Sequence, residues 1–124
     1  RHRGTIARLE AIVRALIPTF REHLASLRSM SGASAHVERG RRQLFRDRRE
    51  AIETRLADVI TEGIEEGLFW QVDAMLVAQL IIGMAWSGST IAHSDEEIGD
   101  AIAQLLFSGL GGRPRLEKSV RAAP

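Results

Sequence analysis

The chain contains no cysteine. Disulfides and thiolate metal sites are therefore excluded, and the composition suits a reducing compartment such as the cytoplasm. Neither sign of charge dominates. Seventeen Lys and Arg stand against 16 Asp and Glu, so overall electrostatics gives no reason to expect nucleic acid or a membrane as partner. Long apolar runs are also missing: the longest, from Ala74 to Trp86, is broken by Gln79 and falls well short of the roughly 20 residues that cross a bilayer. No signal peptide opens the sequence. An N-terminus of Arg1, His2, Arg3, Gly4 and Thr5, without Met, suggests a fragment.

What is present fits one globular domain: 124 residues, 44% hydrophobic and 27% charged. Four helical segments account for most of it, with no strand signal, so the fold class is all-α. The first, about Gly4 to Met30, carries Ile6, Leu9, Ile12, Val13, Leu16, Ile17, Phe20, Leu24 and Leu27 along one stripe. Pro18 interrupts it. A proline inside a helix costs about 3 kcal/mol, which predicts a kink or a break near Ile17. Ser31 to Ser34 make a loop, with Ser34 placed to cap a second segment over about Ala35 to Glu66. Gly40 weakens its start by about 1 kcal/mol relative to Ala and allows a break there.

The stretch from Asp58 to Leu76 carries the most information. Ile52, Leu56, Val59, Ile60, Gly63 and Ile64 share a helical face. Gly67 then offers the tolerance of positive φ that a helix end requires, with Leu68 and Phe69 placed to fold back on the last turn. Asp73 is placed to cap a third helix, about Ala74 to Ser89. That helix is apolar on nearly every side, which predicts burial on every side. The fourth opens with Ser94, Asp95, Glu96 and Glu97, a capping box with acids favouring the helix dipole. It is expected to bury Ile98, Ala101, Ile102, Leu105 and Leu106 and to stop at Gly109. Residues 1–110 form the domain in this reading, and the Gly- and Pro-containing 111–124 a disordered tail.

A helix apolar all round is hard to bury in one small chain, so the third and fourth helices point to a two-fold bundle of two copies, a homodimer. The interface candidates are Met75, Leu76, Gln79, Ile82, Gly83, Trp86, Ile98, Ile102, Leu105 and Leu106. Small residues allow close helix approach, and Trp86 is an anchor of the type enriched at interfaces. A small-molecule pocket is placed after Pro18, where Phe20, His23, Leu24 and Leu27 could line a cavity against Leu44 and Phe45, with His23 or Gln79 orienting a polar group. The competing reading of those residues is plain core.

Other chemistry is sparse. His2, His23, His36 and His93 are far apart in sequence and form no metal pattern, and Glu22 is expected to point away from its neighbour His23. No phosphate-binding Gly loop or catalytic constellation is present, so neither an enzyme nor a cofactor or metal is expected. The arginines from Arg39 to Arg49 are interspersed with Glu38, Asp47 and Glu50 and lack an aromatic stacking platform. They read as a solvated face, with Arg46 and Glu50, and Arg49 and Glu53, as i,i+4 pairs.

The string from Ile60 through Phe69 with Gly63 and Gly67, followed by Asp73, a helix carrying Gly83, the acidic capping box and a closing Leu105, Leu106, Phe107, Ser108, Gly109 and Leu110, resembles the C-terminal domain of tetracycline-repressor-like (TetR) transcriptional regulators. The resemblance implies a ligand pocket among the C-terminal helices, a four-helix dimer interface made by the last two, and operator DNA read by an N-terminal helix-turn-helix. Nothing precedes the first long helix here, so that module is absent from this chain. A small, lipophilic effector would bias one of two helix arrangements through the kinked first helix, in the full-length protein a repressor. The alternative is a dimeric helical adaptor domain with no ligand.

Overall fold

The computed structural model describes residues 2–29, 32 and 34–111, with side chains from residue 4 onward. Four helices follow one another: α1 (His2–Ser29), α2 (Ala35–Glu65), α3 (Ala74–Gly88) and α4 (Asp95–Leu110). No strand occurs among the described residues. The tail expected beyond Gly111 lies outside them.

Each cap read from the sequence is formed. The Ser34 hydroxyl accepts from the Val37 N–H at 3.2 Å, and the Asp73 carboxylate accepts from the Leu76 N–H at 3.1 Å. In the capping box of α4 the Glu97 N–H donates to Ser94 Oγ at 3.0 Å, while Glu97 Oε1 accepts from the Ser94 N–H at 3.1 Å. These hydrogen bonds with Ser94, with His93 alongside, hold the Glu97 carboxyl below the usual range. Gly67 has φ +76°. It closes α2 in a Schellman turn, with the Leu68 N–H bound to the Gly63 carbonyl at 2.9 Å and the Gly67 N–H to that of Ile64 at 3.0 Å.

The expected break at Pro18 does not occur, since α1 runs through it uninterrupted. Pro18 faces solvent, while Leu16, Ile17 and Phe20 around it are 3%, 0% and 1% exposed. Burying three such side chains, at about 1.5–3 kcal/mol each, outweighs about 3 kcal/mol for the proline. Thr19 Oγ1 adds a bond to the Ala15 carbonyl at 2.8 Å. α2 likewise passes through Gly40.

The core gathers Leu9, Val13 and Ile17 of α1, Leu56 and Ile60 of α2, Ile81 and Ile82 of α3, and Ile102 and Leu106 of α4. α1 packs on all three other helices, whereas α3 and α4 touch each other least. Only the second half of α2 belongs to this core. Its first half runs beside the end of α1 as the arm of a hairpin, exposed except at Phe45.

Two expectations of burial fail. α3 buries Ala78, Ile81, Ile82, Ala85 and Gly88, but Met75, Leu76 and Leu80 remain 40%, 51% and 58% exposed. One chain supplies too few neighbours to cover a helix apolar on all sides. On α4, Ala101 is exposed and Leu105 is 67% exposed. Ile98, Ile102, Leu106 and Leu110, four residues apart, occupy its inner stripe and leave Leu105 on the flank.

Candidate functional site: an arginine-rimmed cleft and an uncovered face

The end of α1 and the first half of α2 enclose a cleft of about 440 Å³. Four of the residues proposed for a pocket meet there: Phe20, His23, Leu44 and Phe45. The His23 imidazole stacks on the Phe45 ring, with centroids 3.8 Å apart and planes 11° off parallel. Phe45 meets Phe20 edge-on at 6.1 Å, and Trp86 of α3 backs both, 5.4 Å from Phe20 and 5.7 Å from Phe45. The bed of the cleft is therefore a continuous aromatic cluster fixed from three helices. Burial pushes the His23 imidazole below its ordinary pKa, and the nearby Arg41 guanidinium pushes it the same way. Both effects favour the neutral imidazole.

Three pocket candidates are elsewhere. Leu24 does not line the cleft, Leu27 is 44% exposed on α1, and Gln79 points to solvent from α3. Leu27 shares the phase of Phe20 but lies a turn beyond His23 and outside the cleft, and Gln79 stands on the exposed side of α3. Glu22, expected to point away from His23, lines the same cleft.

Sequence reasoning missed the rim. Arg41, Arg48 and Arg49 line the cleft, with Ser26 opposite and Ile52 at its inner end. Arg41 Nη1 donates to Ser26 Oγ across the opening. Among the described residues neither expected arginine–glutamate pair closes. Arg46 instead donates to Gln43 Oε1 at 2.9 Å, and Gln43 donates to Asp47 at 2.9 Å. The signal was available in the spacing: Arg41, Phe45, Arg48 and Ile52 recur at three to four residues, so they share one face of α2.

A second feature lies on α3 and α4. The exposed residues of α3, among them Leu76, Gln79, Leu80, Gly83 and Ser87, recur at helical spacing. Ala101, Leu105 and Ser108 do the same on α4. An apolar groove of about 570 Å³ between Met84, Ser87 and Ile91 on one wall and Ala101 and Leu105 on the other joins these stripes into one face. Of the proposed interface residues, Met75, Leu76, Gln79, Gly83 and Leu105 present surface to it. Ile82 and Leu106, 1% and 7% exposed, lie in the chain's own core, while Ile98 and Ile102, 7% and 5% exposed, show only an edge in the floor of the groove. Trp86 is half-buried, with its ring in the aromatic cluster.

Two clasps hold the ends of these helices in place. Arg21 of α1 reaches the turn between α3 and α4, donating to the carbonyls of Ser89 at 3.2 Å, Ile91 at 2.8 Å and His93 at 2.8 Å, and to Asp95 at 2.5 Å. At the other end of α1, Thr5 Oγ1 donates to Glu66 at 2.5 Å and Arg8 to Glu62 at 2.7 Å. Trp70 Nε1 donates to the Gly109 carbonyl at 3.0 Å, tying the α2–α3 corner to the end of α4.

A family model described as the tetracyclin repressor-like C-terminal domain matches residues 2–110. No curated protein and no solved structure matches the chain.

Proposed function

The chain belongs to the tetracycline-repressor-like family as its C-terminal domain, and from there we propose that it is the effector-sensing and dimerisation domain of a transcriptional repressor. The carrying observation is the cleft between α1 and α2, an open space whose walls carry the stacked His23 and Phe45 above the buried Phe20. Its volume lies within the roughly 300–1,000 Å³ usual for small-molecule sites. The α3–α4 face is comparably large but shallow, almost wholly apolar and continuous along two helices, which suits a second copy of the chain rather than a small ligand. DNA is contacted only through a helix-turn-helix module outside this chain.

The route from effector to DNA follows from α1. The cleft opens on residues 19–26 of that helix, and the Thr5 and Arg8 contacts to α2 lie at its far end. α1 is continuous between them, so a ligand that changes the spacing of α1 and α2 at one end loads the contacts between the same two helices at the other. The expected kink is not required. A rigid lever transmits the change.

Sedimentation at micromolar concentration tests the dimer. The chain should run at twice its 13.7 kDa mass, and Leu80→Asp with Leu105→Asp should reduce it to one chain mass with its helicity kept, because both side chains are more than half exposed within the monomer. A parent chain that runs as a monomer sinks the interface. A dimer whose cleft binds no small molecule favours the adaptor reading instead.

A further inference from the structure

We propose that the effector is an amphipathic organic anion, its apolar body seated on Phe20 and Phe45 and its acid group held by Arg41, Arg48 and Arg49. The inference rests on the reading of the cleft as the sensing site and adds the chemistry of what enters it. Three guanidinium groups line the opening, and Glu22 is the one carboxylate among the lining residues. A chain of net charge +1 therefore carries a local excess of positive charge at this opening, as it also does on the neighbouring face of α2 around Arg39, Arg42 and Arg46, which lacks the aromatic bed. At the inner end the character reverses: Phe20 is 1% exposed, Phe45 lies under the His23 ring, and Ile52 closes the space.

The two ends specify a two-ended ligand. A cation would meet three like charges at the mouth. A neutral lipophile would occupy the aromatic bed without engaging the guanidinium groups, whose planar fork matches the oxygens of a carboxylate, sulfonate or phosphate. Arg48 and Arg49 make no ion pair among the described residues, and Arg41 is engaged only with the neutral Ser26 hydroxyl. Neutral His23 keeps one ring N–H for a further hydrogen bond to the acid group. The enclosed volume of about 440 Å³ and the aromatic bed select a compact body over an extended polyanion.

Two fluorescent probes with the same aromatic body test this: 8-anilino-1-naphthalenesulfonate carries the anion, and N-phenyl-1-naphthylamine lacks it. The sulfonate should bind about tenfold or more tightly than the neutral probe. Combined Arg41→Gln, Arg48→Gln and Arg49→Gln should weaken the sulfonate by about tenfold or more and leave the neutral probe unchanged. The single changes Arg48→Gln and Arg49→Gln, both at exposed positions, give the same direction if the triple variant loses helicity. Leu44→Trp, which fills the cleft, should weaken both probes. If the arginine variants leave sulfonate binding unchanged while Leu44→Trp still weakens both, the anion assignment is overturned and the cleft stands as a site for neutral compounds. If Leu44→Trp affects neither probe, the cleft itself is not the site, and the proposal falls with it.

Discussion

Replacing Gly63 with Ala should destabilise the domain, although in an ordinary helix the change would stabilise it. Gly63 lies in the last turn of α2, and a Cβ built there meets the Phe69 ring at 2.2 Å from Cε2 and 2.3 Å from Cδ2. Normal carbon contacts lie near 3.5–4.0 Å, so the ring must move by more than 1 Å. It has little freedom to do so. Phe69 is 5% exposed, and the Leu68 and Phe69 N–H groups are bonded to the Gly63 carbonyl at 2.9 and 3.3 Å. Overpacking of this kind costs about 1–3 kcal/mol, and displacing the ring altogether approaches the roughly 3–5 kcal/mol of a Phe→Ala truncation. Against this stands a gain of about 1 kcal/mol from replacing glycine inside a helix. The balance is a loss of up to about 2 kcal/mol if the ring only shifts and about 2–4 kcal/mol if it is displaced, at roughly 4–5 °C in melting temperature per kcal/mol for a domain of this size. Thermal unfolding by circular dichroism at one fixed protein concentration reads it. The same substitution made in a Phe69→Ala background should stabilise by about 1 kcal/mol, because the clash is gone and the helix preference remains. A Gly63→Ala protein melting at or above the parent, or an identical effect in both backgrounds, would refute the account of the corner.

Arg21→Lys should loosen the turn between α3 and α4, since a single ammonium cannot reach three carbonyls and Asp95 together. The loss is about 1–2 kcal/mol after allowing for the half-exposed Asp95. Faster amide exchange at Ile91 and His93 is the expected readout, and unchanged exchange would mean the clasp holds nothing. For His23 the sign follows from its lowered pKa. The neutral form is favoured in the folded state, so its contribution to stability is present above the ordinary histidine value of about 6.5 and is lost as pH falls through the folded value. Arg41, Arg48, Arg49 and Glu22 border the same cleft. Urea midpoints measured between about pH 8 and about pH 5 should therefore fall more for the parent than for His23→Gln; parallel curves would show that the imidazole titrates as it does in the unfolded chain.

The caps, the corner and the order of four helices were legible before any coordinates because each depends on residues a few positions apart. Ser34, Asp73 and Ser94 cap because a short side-chain oxygen reaches an N–H two or three residues on, and Gly67 ends a helix because it alone tolerates φ +76° cheaply. The cleft was half legible. Phe20, His23, Leu44 and Phe45, expected around one cavity, line one cleft, whereas Leu24, Leu27 and Gln79 do not line it. The arginines were assigned to a solvated face because their nearest acids lie one turn away in sequence. They are exposed as expected, but without those ion pairs, and Arg41 and Arg48 share their face with Phe45 and Ile52.

Sequence alone therefore determined which segments are helical, where they begin and end, and that together they carry more apolar surface than one small domain can cover. Tertiary structure decided how that surface is divided. Ile102 and Leu105 are three residues apart, about 60° around one helix, yet the first is 5% exposed and the second 67%. Periodicity gives the phase of residues within a helix, but which phase is buried depends on where the other helices lie. α1 packs on the inner stripes of α2, α3 and α4, and the outer stripes of α3 and α4 and the arginine face of α2 remain exposed. No short-range rule contains that arrangement, because it arises from contacts between residues tens of positions apart.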